Sequence, residues 1–197
     1  MAAMGCMIRR NDTPRPATDF PAGRSSPDLD AGAGRPYSSA MSLLLTSLFL
    51  PRPLPEVFAF FADAGNLQRI TPPWVDFRIT TPLPIAMHVG ALIDYRLKVH
   101  GVPIRWRTEI TAWEPPRHFV DSQLSGPYWR WVHSHRFREV AGGTTVEDEV
   151  DFAVPGGWPI ERLFVRRDLT AIFLHRQHAT LAAFGVAADV APTVRFR

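Results

Sequence analysis

Cysteine and lysine are almost missing from this 197-residue chain, since each occurs once, as Cys6 and Lys98. A single cysteine excludes a disulfide framework within the chain and is typical of a reducing compartment, so we expect a cytoplasmic location. The 22 basic residues are nearly all arginine, and 19 acidic residues are interspersed with them. This mixed surface, with a net charge of +3, does not indicate a nucleic-acid-binding protein.

Long apolar runs and the motifs of common nucleotide-binding or hydrolytic enzymes are also absent. No run approaches the roughly 18 residues that a membrane helix needs. The run Leu43–Leu50 is short, and three prolines follow it within five residues, so we interpret it as a strand. No phosphate loop, Rossmann glycine pattern, nucleophile elbow or zinc-finger spacing occurs. The sequence therefore predicts no integral membrane segment, no nucleic-acid partner and no cofactor.

Composition divides the chain into a tail, a domain and a second tail. Residues 1–40 contain five prolines, and Ile8 and Leu29 are their only Ile, Leu or Val residues. Such a segment buries too little apolar surface to offset its ordering entropy, so we expect a disordered N-terminal tail. Met41 then opens a normal-looking domain and is a candidate for the true start. We expect the domain to cover 41–185 and a flexible tail to cover 186–197.

Alternating apolar and polar residues predict several antiparallel strands in this domain. Ile93, Tyr95 and Leu97 alternate with charged residues, as in strands with one buried and one solvated face. Short helices are expected at Glu56–Ala62 and Asn66–Ile70. The remaining predicted strands are Phe77–Thr81, Ala91–Val99, Ile104–Ala112, Phe119–Leu124, Tyr128–Val140 and Thr144–Val154.

A long C-terminal helix is predicted from Pro159 to Phe184, because no proline or glycine follows Pro159 until Gly185. A broad apolar stripe at helical spacing predicts the buried face. Its members are Ile160, Leu163, Phe164, Ala171, Leu174 and Leu181. The predicted class is α+β, a helix-grip fold with a curved antiparallel sheet around the long helix. Its concave side must be filled by side chains or by a ligand.

This element order, together with several short motifs, resembles the SRPBCC superfamily, also called START-like or Bet v 1-like. The motifs are Asn66 to Pro73 (NLQRITPP), Trp106 to Ile110 (WRTEI), Trp113 to Pro116 (WEPP), Gly126 to Tyr128 (GPY), Trp131 to Phe137 (WVHSHRF) and Gly143 to Thr145 (GTT). The resemblance is to a bacterial branch of cyclase/dehydrase-like ligand-binding proteins and covers about Met41 to Phe184. It implies a deep hydrophobic cavity but little about chemistry, because members include carriers, receptors and cyclases.

The last predicted hairpin carries the most suggestive polar residues. Trp129, Trp131, His133, His135 and Phe137 share one strand face. A two-residue turn at Ala141-Gly142 would pair that face with the next strand, placing Phe137 opposite Val146, His135 opposite Asp148 and His133 opposite Val150. His135 and Asp148, with His133, are thus candidates for an acid/base pair. Alternatively, they satisfy one another as a buried polar pair.

Three further groups have two interpretations each. His133 and His135 could bind a metal with Asp148 as a third ligand, but two histidines are a weak signal, and we predict no metal. Tyr95 and Trp106 either orient a ligand in the cavity or simply pack in the core. Two polar residues of the long helix, Arg167 and His178, fall on its predicted apolar stripe.

Arg167 could therefore meet an acidic group of a ligand, or its head could extend to solvent. Arg162, Arg166 and Arg176 are interpreted as a solvated face. The predicted ligand-binding set is Tyr95, Trp106, Trp131, His133, His135, Asp148 and Arg167.

Three functions fit these observations. The first is a non-enzymatic carrier or sensor of a small hydrophobic ligand such as a lipid, an aromatic or a polyketide-like molecule. The second is a cyclase or dehydratase that uses His135 and Asp148 as acid and base. The third is a protein-interaction module that docks a partner through an exposed sheet edge or basic helix face.

Overall fold

Eight antiparallel strands form a single sheet in the computed structural model, which describes residues 41–187 and 193–197. The strands are β1 (Ser42–Leu50), β2 (Arg78–Ile79), β3 (Leu92–Val99), β4 (Val102–Glu114), β5 (His118–Ser125), β6 (Arg130–Val140), β7 (Gly143–Ala153) and β8 (Thr193–Phe196). Their order across the sheet is β2-β3-β4-β5-β6-β7-β1-β8. Strands β2 to β7 are neighbours in chain order, and β1 closes onto β7.

The helices precede and follow the run of long strands. They are α1 (Leu54–Ala62), α2 (Ala64–Ile70), a 3-10 turn (Pro73–Val75), α3 (Gly157–Ile160), a π-helical segment (Glu161–Val165) and α4 (Arg166–Ala183). Asp63 caps α2 by accepting a hydrogen bond from the backbone N–H of Gly65 at 2.8 Å. Gly185, with a φ of 66°, follows the end of α4 in the left-handed region that glycine favours. The α+β helix-grip architecture is therefore confirmed.

The core lies between the concave face of the sheet and α4. Leu44, Val150 and Phe152 are fully buried on β1 and β7, and they pack against Leu169 and Phe173 of α4. A second apolar cluster lies under α1 and includes Val57 and Phe137. A third lies around β3 and contains Ile93 and Tyr95. Residues of all three clusters line a cavity between the sheet and α4.

The C-terminus departs from the predicted flexible tail over 186–197. Within that range, β8 pairs antiparallel with β1, so that Thr46 lies opposite Val194. The backbone of Arg197 exchanges two hydrogen bonds with Leu43, at 3.1 and 2.9 Å. Val194 and Phe196 also pack against the cluster around Phe152. This strand covers the edge of β1 that β7 leaves open.

The predicted apolar stripe of the long helix is wrong at four of its six positions, whereas Leu181 is buried and Leu174 is half-buried. Leu163 and Phe164 are 67% and 55% exposed, and Ile160 and Ala171 are exposed as well. The buried positions of α4 are Leu169, Phe173, Gln177, Thr180 and Leu181. One cause is the π-helical segment, which changes the angular phase of the residues before α4. The other is that the buried face includes polar residues, which a search for apolar spacing passes over.

The N-terminal boundary stays a prediction, because residues 1–40 lie outside the described residues. Trp129 also differs from its predicted place on the inner face, since it precedes β6 and is 57% exposed. No helix within 41–187 or 193–197 has the length and apolarity needed to cross a membrane.

Candidate functional site

The hairpin of β6 and β7 has the register that the two-residue turn predicts. Val140 pairs with Gly143, and counting back from the turn places Phe137 opposite Val146 and His135 opposite Asp148. Gly142 adopts a φ of 83°, which is the conformation that a tight turn requires and that glycine supplies without strain. The turn therefore fixes which side chains meet on the concave face.

A cavity of about 180 Å³ lies between this face and α4. Six of the seven predicted ligand-binding residues line it: Tyr95, Trp106, Trp131, His133, His135 and Asp148. The exception is Arg167, which is exposed to solvent. The rest of the lining is mainly aliphatic and aromatic, and it includes Phe119, Leu169 and Phe173. The pocket is thus apolar with a few converging polar groups, the usual composition of a small-molecule site.

The polar groups on the sheet side form a cluster of two imidazoles between two carboxylates. His135 is hydrogen-bonded through Nδ1 to Asp148 Oδ1 at 2.9 Å and through Nε2 to Asp121 Oδ2 at 3.0 Å. His133 stands beside it, with the ring centroids 3.8 Å apart and an interplanar angle of 40°. Nδ1 of His133 lies 3.5 Å from the same Asp121 oxygen, and Nε2 of His133 lies 3.5 Å from the same Asp148 oxygen. The cluster therefore contains one fully bonded and one loosely held imidazole.

Asp121 is the member of the cluster that sequence reasoning missed. It lies on β5 directly opposite His133 and two residues after Phe119, whose ring stacks on His135 with centroids 4.2 Å apart. The alternation of β5 from Phe119 was the available signal, because it places Phe119 and Asp121 on one face. The strand was predicted, but its two faces were not distinguished.

Burial and hydrogen bonding act in opposite directions on this cluster. Burial alone would lower the pKa of His135, but its hydrogen bonds to Asp121 and Asp148 prevail and raise that pKa to about 9. Burial would raise the pKa of Asp148, but its interactions with His133 and His135 hold it well below the ordinary range. Burial, and then the neighbouring His135, lower the pKa of His133. The arrangement thus favours one charged and one neutral imidazole near neutral pH.

The arginine that α4 brings to the cavity is Arg176, which the sequence interpretation placed on a solvated face. Arg167 and Arg176 are nine residues apart, about two and a half turns, so they project from opposite sides of the helix. The Nε atom of Arg176 is out of contact with solvent and has no hydrogen-bond partner among the described residues. Its Nη2 reaches Thr71 Oγ1 only at 3.4 Å. Burial lowers the pKa of this guanidinium, as expected for a cation in apolar surroundings.

Aromatic residues continue the sheet side of the cavity next to the cluster, where the ring centroids of Trp131 and His133 are 6.2 Å apart. Trp106 and Trp131 meet edge to face with centroids 5.3 Å apart, and Trp106 Nε1 donates to Thr108 Oγ1 at 3.0 Å. Burial raises the pKa of Tyr95 far above its usual value, so its phenol stays neutral. His178 is exposed and takes no part in the pocket. The wall offers flat apolar surfaces with few free polar atoms.

All four side chains of the cluster have metal-ligand chemistry, and three of them bring ligand atoms close together. One ligand atom from each of Asp121, His133 and His135 lies within 4.8 Å of the other two. Asp148, which the sequence interpretation considered as the third ligand, lies at the opposite edge of both imidazoles.

Solved structures show the same fold in distant proteins. Protein Ms6760 from Mycobacterium smegmatis is 16% identical, with a TM-score of 0.56 over 73% of this chain and 90% of its own. The Mll3558 protein from Rhizobium loti is 17% identical, with a TM-score of 0.54 over 75% and 99%. Ara h 8.0201 is 14% identical, with a TM-score of 0.57 over 74% and 98%. At these identities the likeness concerns the fold alone.

Comparison of the sequence with family models identifies the family of this chain. No curated protein matches the chain. A family model described as polyketide cyclase / dehydrase and lipid transport matches residues 50–179. This range covers more than half of the chain and includes most of the strands and of α4. The chain therefore belongs to the polyketide cyclase / dehydrase and lipid transport family.

Proposed function

We propose that this protein binds a small lipophilic molecule in the cavity between the sheet and α4, as a carrier or a sensor. The observation that carries the proposal is the cavity itself, whose lining is mainly aliphatic and aromatic. Removing apolar ligand surface from water into such a pocket is favourable by about 25 cal/mol per Å². The family supports ligand binding of this general kind.

The size of the cavity favours a ligand with about one ring. An apolar protein cavity of roughly 150 Å³ is known to hold benzene. At about 180 Å³, the cavity suits a single ring with a short substituent. This reasoning favours an aromatic or a short aliphatic molecule over a long-chain lipid.

The polar groups on α4 favour a ligand with one acidic or strongly polar end. Arg176 lines the cavity, and its guanidinium has one long hydrogen bond among the described residues, from Nη2 to Thr71 Oγ1 at 3.4 Å. A ligand carboxylate that meets this weakly paired cation would form a charge-assisted hydrogen bond, which is stronger than a neutral one. We therefore propose Arg176, in place of Arg167, as the residue that meets the polar end.

Calorimetric titration with 3-phenylpropan-1-ol tests the lipophilic part of the proposal. We expect saturable 1:1 binding with a negative heat-capacity change, which is the thermodynamic marker of apolar burial. Replacing Ile172 by Trp should fill part of the cavity and weaken binding. Leu174→Trp is the matched control, because Leu174 lies on the same helix but does not line the cavity. Equal weakening in both variants, or no saturable heat in the wild type, would contradict the proposal.

A cyclase or dehydratase activity is the second candidate, with His135 and Asp148 as acid and base. The hydrogen bond between Nδ1 of His135 and Asp148 at 2.9 Å supports it, because a carboxylate that orients an imidazole is a common catalytic arrangement. His135→Ala should abolish turnover of an aromatic or polyketide-like substrate while the variant still binds 3-phenylpropan-1-ol. Turnover that survives this substitution would rule out the acid/base role.

A protein-interaction role is supported by one surface. Trp158, Ile160, Leu163 and Phe164 are all exposed on α3 and the π-helical segment. Apolar side chains exposed together are typical of contact surfaces. Chemical crosslinking of the wild type and a Leu163→Glu variant tests this candidate, and identical products from both would count against it.

A further inference from the structure

We infer that Asp121, His133 and His135 form a site for one divalent transition-metal ion, with Asp148 holding the two imidazoles in place. This inference goes beyond the proposed function and depends only on the polar cluster. It also departs from the sequence interpretation, which predicted no metal and considered Asp148 as the third ligand.

The carboxylate of Asp121 is spaced from the two imidazoles as ligands of one ion are. Asp121 Oδ2 lies 3.5 Å from Nδ1 of His133 and 3.0 Å from Nε2 of His135. Nitrogen and oxygen ligands bind Zn²⁺ at 2.0–2.2 Å, and at angles of 90–110° they are therefore about 2.8–3.6 Å apart. Both separations fall inside this range. One ligand atom from each of the three residues also lies within 4.8 Å of the other two.

Asp148 lies at the far edge of both imidazole rings. Its Oδ1 lies 2.9 Å from Nδ1 of His135 and 3.5 Å from Nε2 of His133. These are the nitrogens that do not face Asp121. Its other oxygen accepts a hydrogen bond from Thr46 at 3.0 Å. A carboxylate behind metal-bound imidazoles fixes their tautomers and orientations, and Asp148 is placed to do this for both rings.

His133 is buried and incompletely hydrogen-bonded. The residue is 5% exposed, and Nε2 has no hydrogen-bond partner among the described residues. Buried polar atoms nearly always have one, so this ring is unsatisfied. An ion on Nδ1 would place the ring proton on Nε2, facing Asp148. A divalent ion would also balance the two carboxylates that Asp121 and Asp148 bring to this cluster.

Two histidines and one carboxylate leave coordination positions open on the ion. His133, His135 and Asp121 all line the cavity, so these positions face the space proposed for the ligand. An ion with open positions can bind a carbonyl, hydroxyl or carboxylate oxygen. The site would thus take a first-row divalent ion such as Zn²⁺ and give the apolar cavity a second polar anchor, distinct from Arg176.

To test this inference, the full-length protein is first stripped of metal with EDTA. It is then titrated with Zn²⁺, followed by calorimetry, and with Co²⁺, followed by visible absorption. We expect one equivalent to bind. Asp121→Asn and His133→Ala should each weaken binding by at least about 100-fold, and Asp148→Asn by about 10- to 100-fold. His178→Ala is the matched control, because His178 is exposed on α4, and it should leave the affinity unchanged. An equal loss of metal affinity in His178→Ala, or the absence of stoichiometric metal binding to the wild type, would overturn the inference.

X-ray absorption of the zinc-loaded wild type keeps the inference testable if the variants fail to fold. We expect the zinc ion to be coordinated by two imidazole nitrogens and by oxygen ligands, at distances of about 2.0–2.2 Å. A spectrum with fewer than two imidazoles would overturn the assignment. Binding of 3-phenylpropan-1-ol without any metal binding would reject this site while leaving the proposed function intact.

Discussion

Replacing Arg176 by Gln should selectively weaken the binding of acidic ligands. The substitution removes a guanidinium that lines the cavity, while keeping a side chain of moderate length and polarity. A hydrogen bond that involves a charged group is worth about 1.5–3 kcal/mol. This corresponds to a loss of about 10- to 150-fold in affinity. The prediction concerns 3-phenylpropanoate, whose ring suits the size of the cavity and whose carboxylate can reach a cation.

Calorimetry on a matched pair of ligands separates the charge from the apolar contact. The alcohol 3-phenylpropan-1-ol has the same carbon skeleton without the charge, so its affinity should change little in Arg176→Gln. Arg167→Gln is the control protein, because it removes the same charge from the exposed side of the same helix. The reasoning is refuted if Arg176→Gln remains folded and binds the acid as tightly as the wild type, or if Arg167→Gln shows an equal loss.

Further predictions concern the framework that holds the site. Phe152→Ala should lower the free energy of unfolding by about 3–5 kcal/mol, because Phe152 is fully buried, whereas Phe164→Ala at an exposed position should change it little; urea denaturation compares the two, and equal losses would contradict the core assignment. Gly143→Ala should cost on the order of 1–3 kcal/mol, because a Cβ there would overlap the carbonyl oxygen of Leu50; an unchanged denaturation midpoint would contradict this packing. Truncation after residue 187 should also lower the midpoint, because it removes the strand that begins at Thr193 from the sheet edge; a truncated chain of wild-type stability would show that this strand contributes nothing.

The sequence predicts the strands and one hairpin register well because both depend on local rules. Alternation along β3 and β4 reflects the two faces of a sheet, and the turn at Ala141-Gly142 determines the pairing of His135 with Asp148. Such features need no knowledge of the rest of the fold. The same local logic predicts six of the seven residues proposed for the cavity.

The buried face of α4 and the place of Asp121 in the cluster could not be predicted from local rules. The side of α4 that faces the cavity depends on where the π-helical segment ends, and it carries Arg176 and Gln177 among apolar residues. A search for apolar spacing therefore places the buried face on the wrong side of the helix, the side that carries Arg167 and not Arg176. Asp121 meets His133 only through the pairing of β5 with β6, across a longer connection than a two-residue turn.

The pairing of β8 with β1 is the least local of these features. Thr193–Phe196 is short, and nothing in its four residues specifies which strand it joins. The partner is determined by the open edge of β1 at the other end of the chain. Interactions of this kind require the completed sheet, which is why composition suggested a flexible tail.

Native mass spectrometry of the protein purified from its own host tests the central claim most directly. The account predicts a mass excess that corresponds to one small molecule, which organic extraction releases and identifies as lipophilic. The Ile172→Trp variant should lose this excess, and Leu174→Trp should retain it. The account is contradicted if the wild-type mass equals that of the polypeptide alone, the extract contains no lipophilic compound, and added 3-phenylpropanoate does not bind.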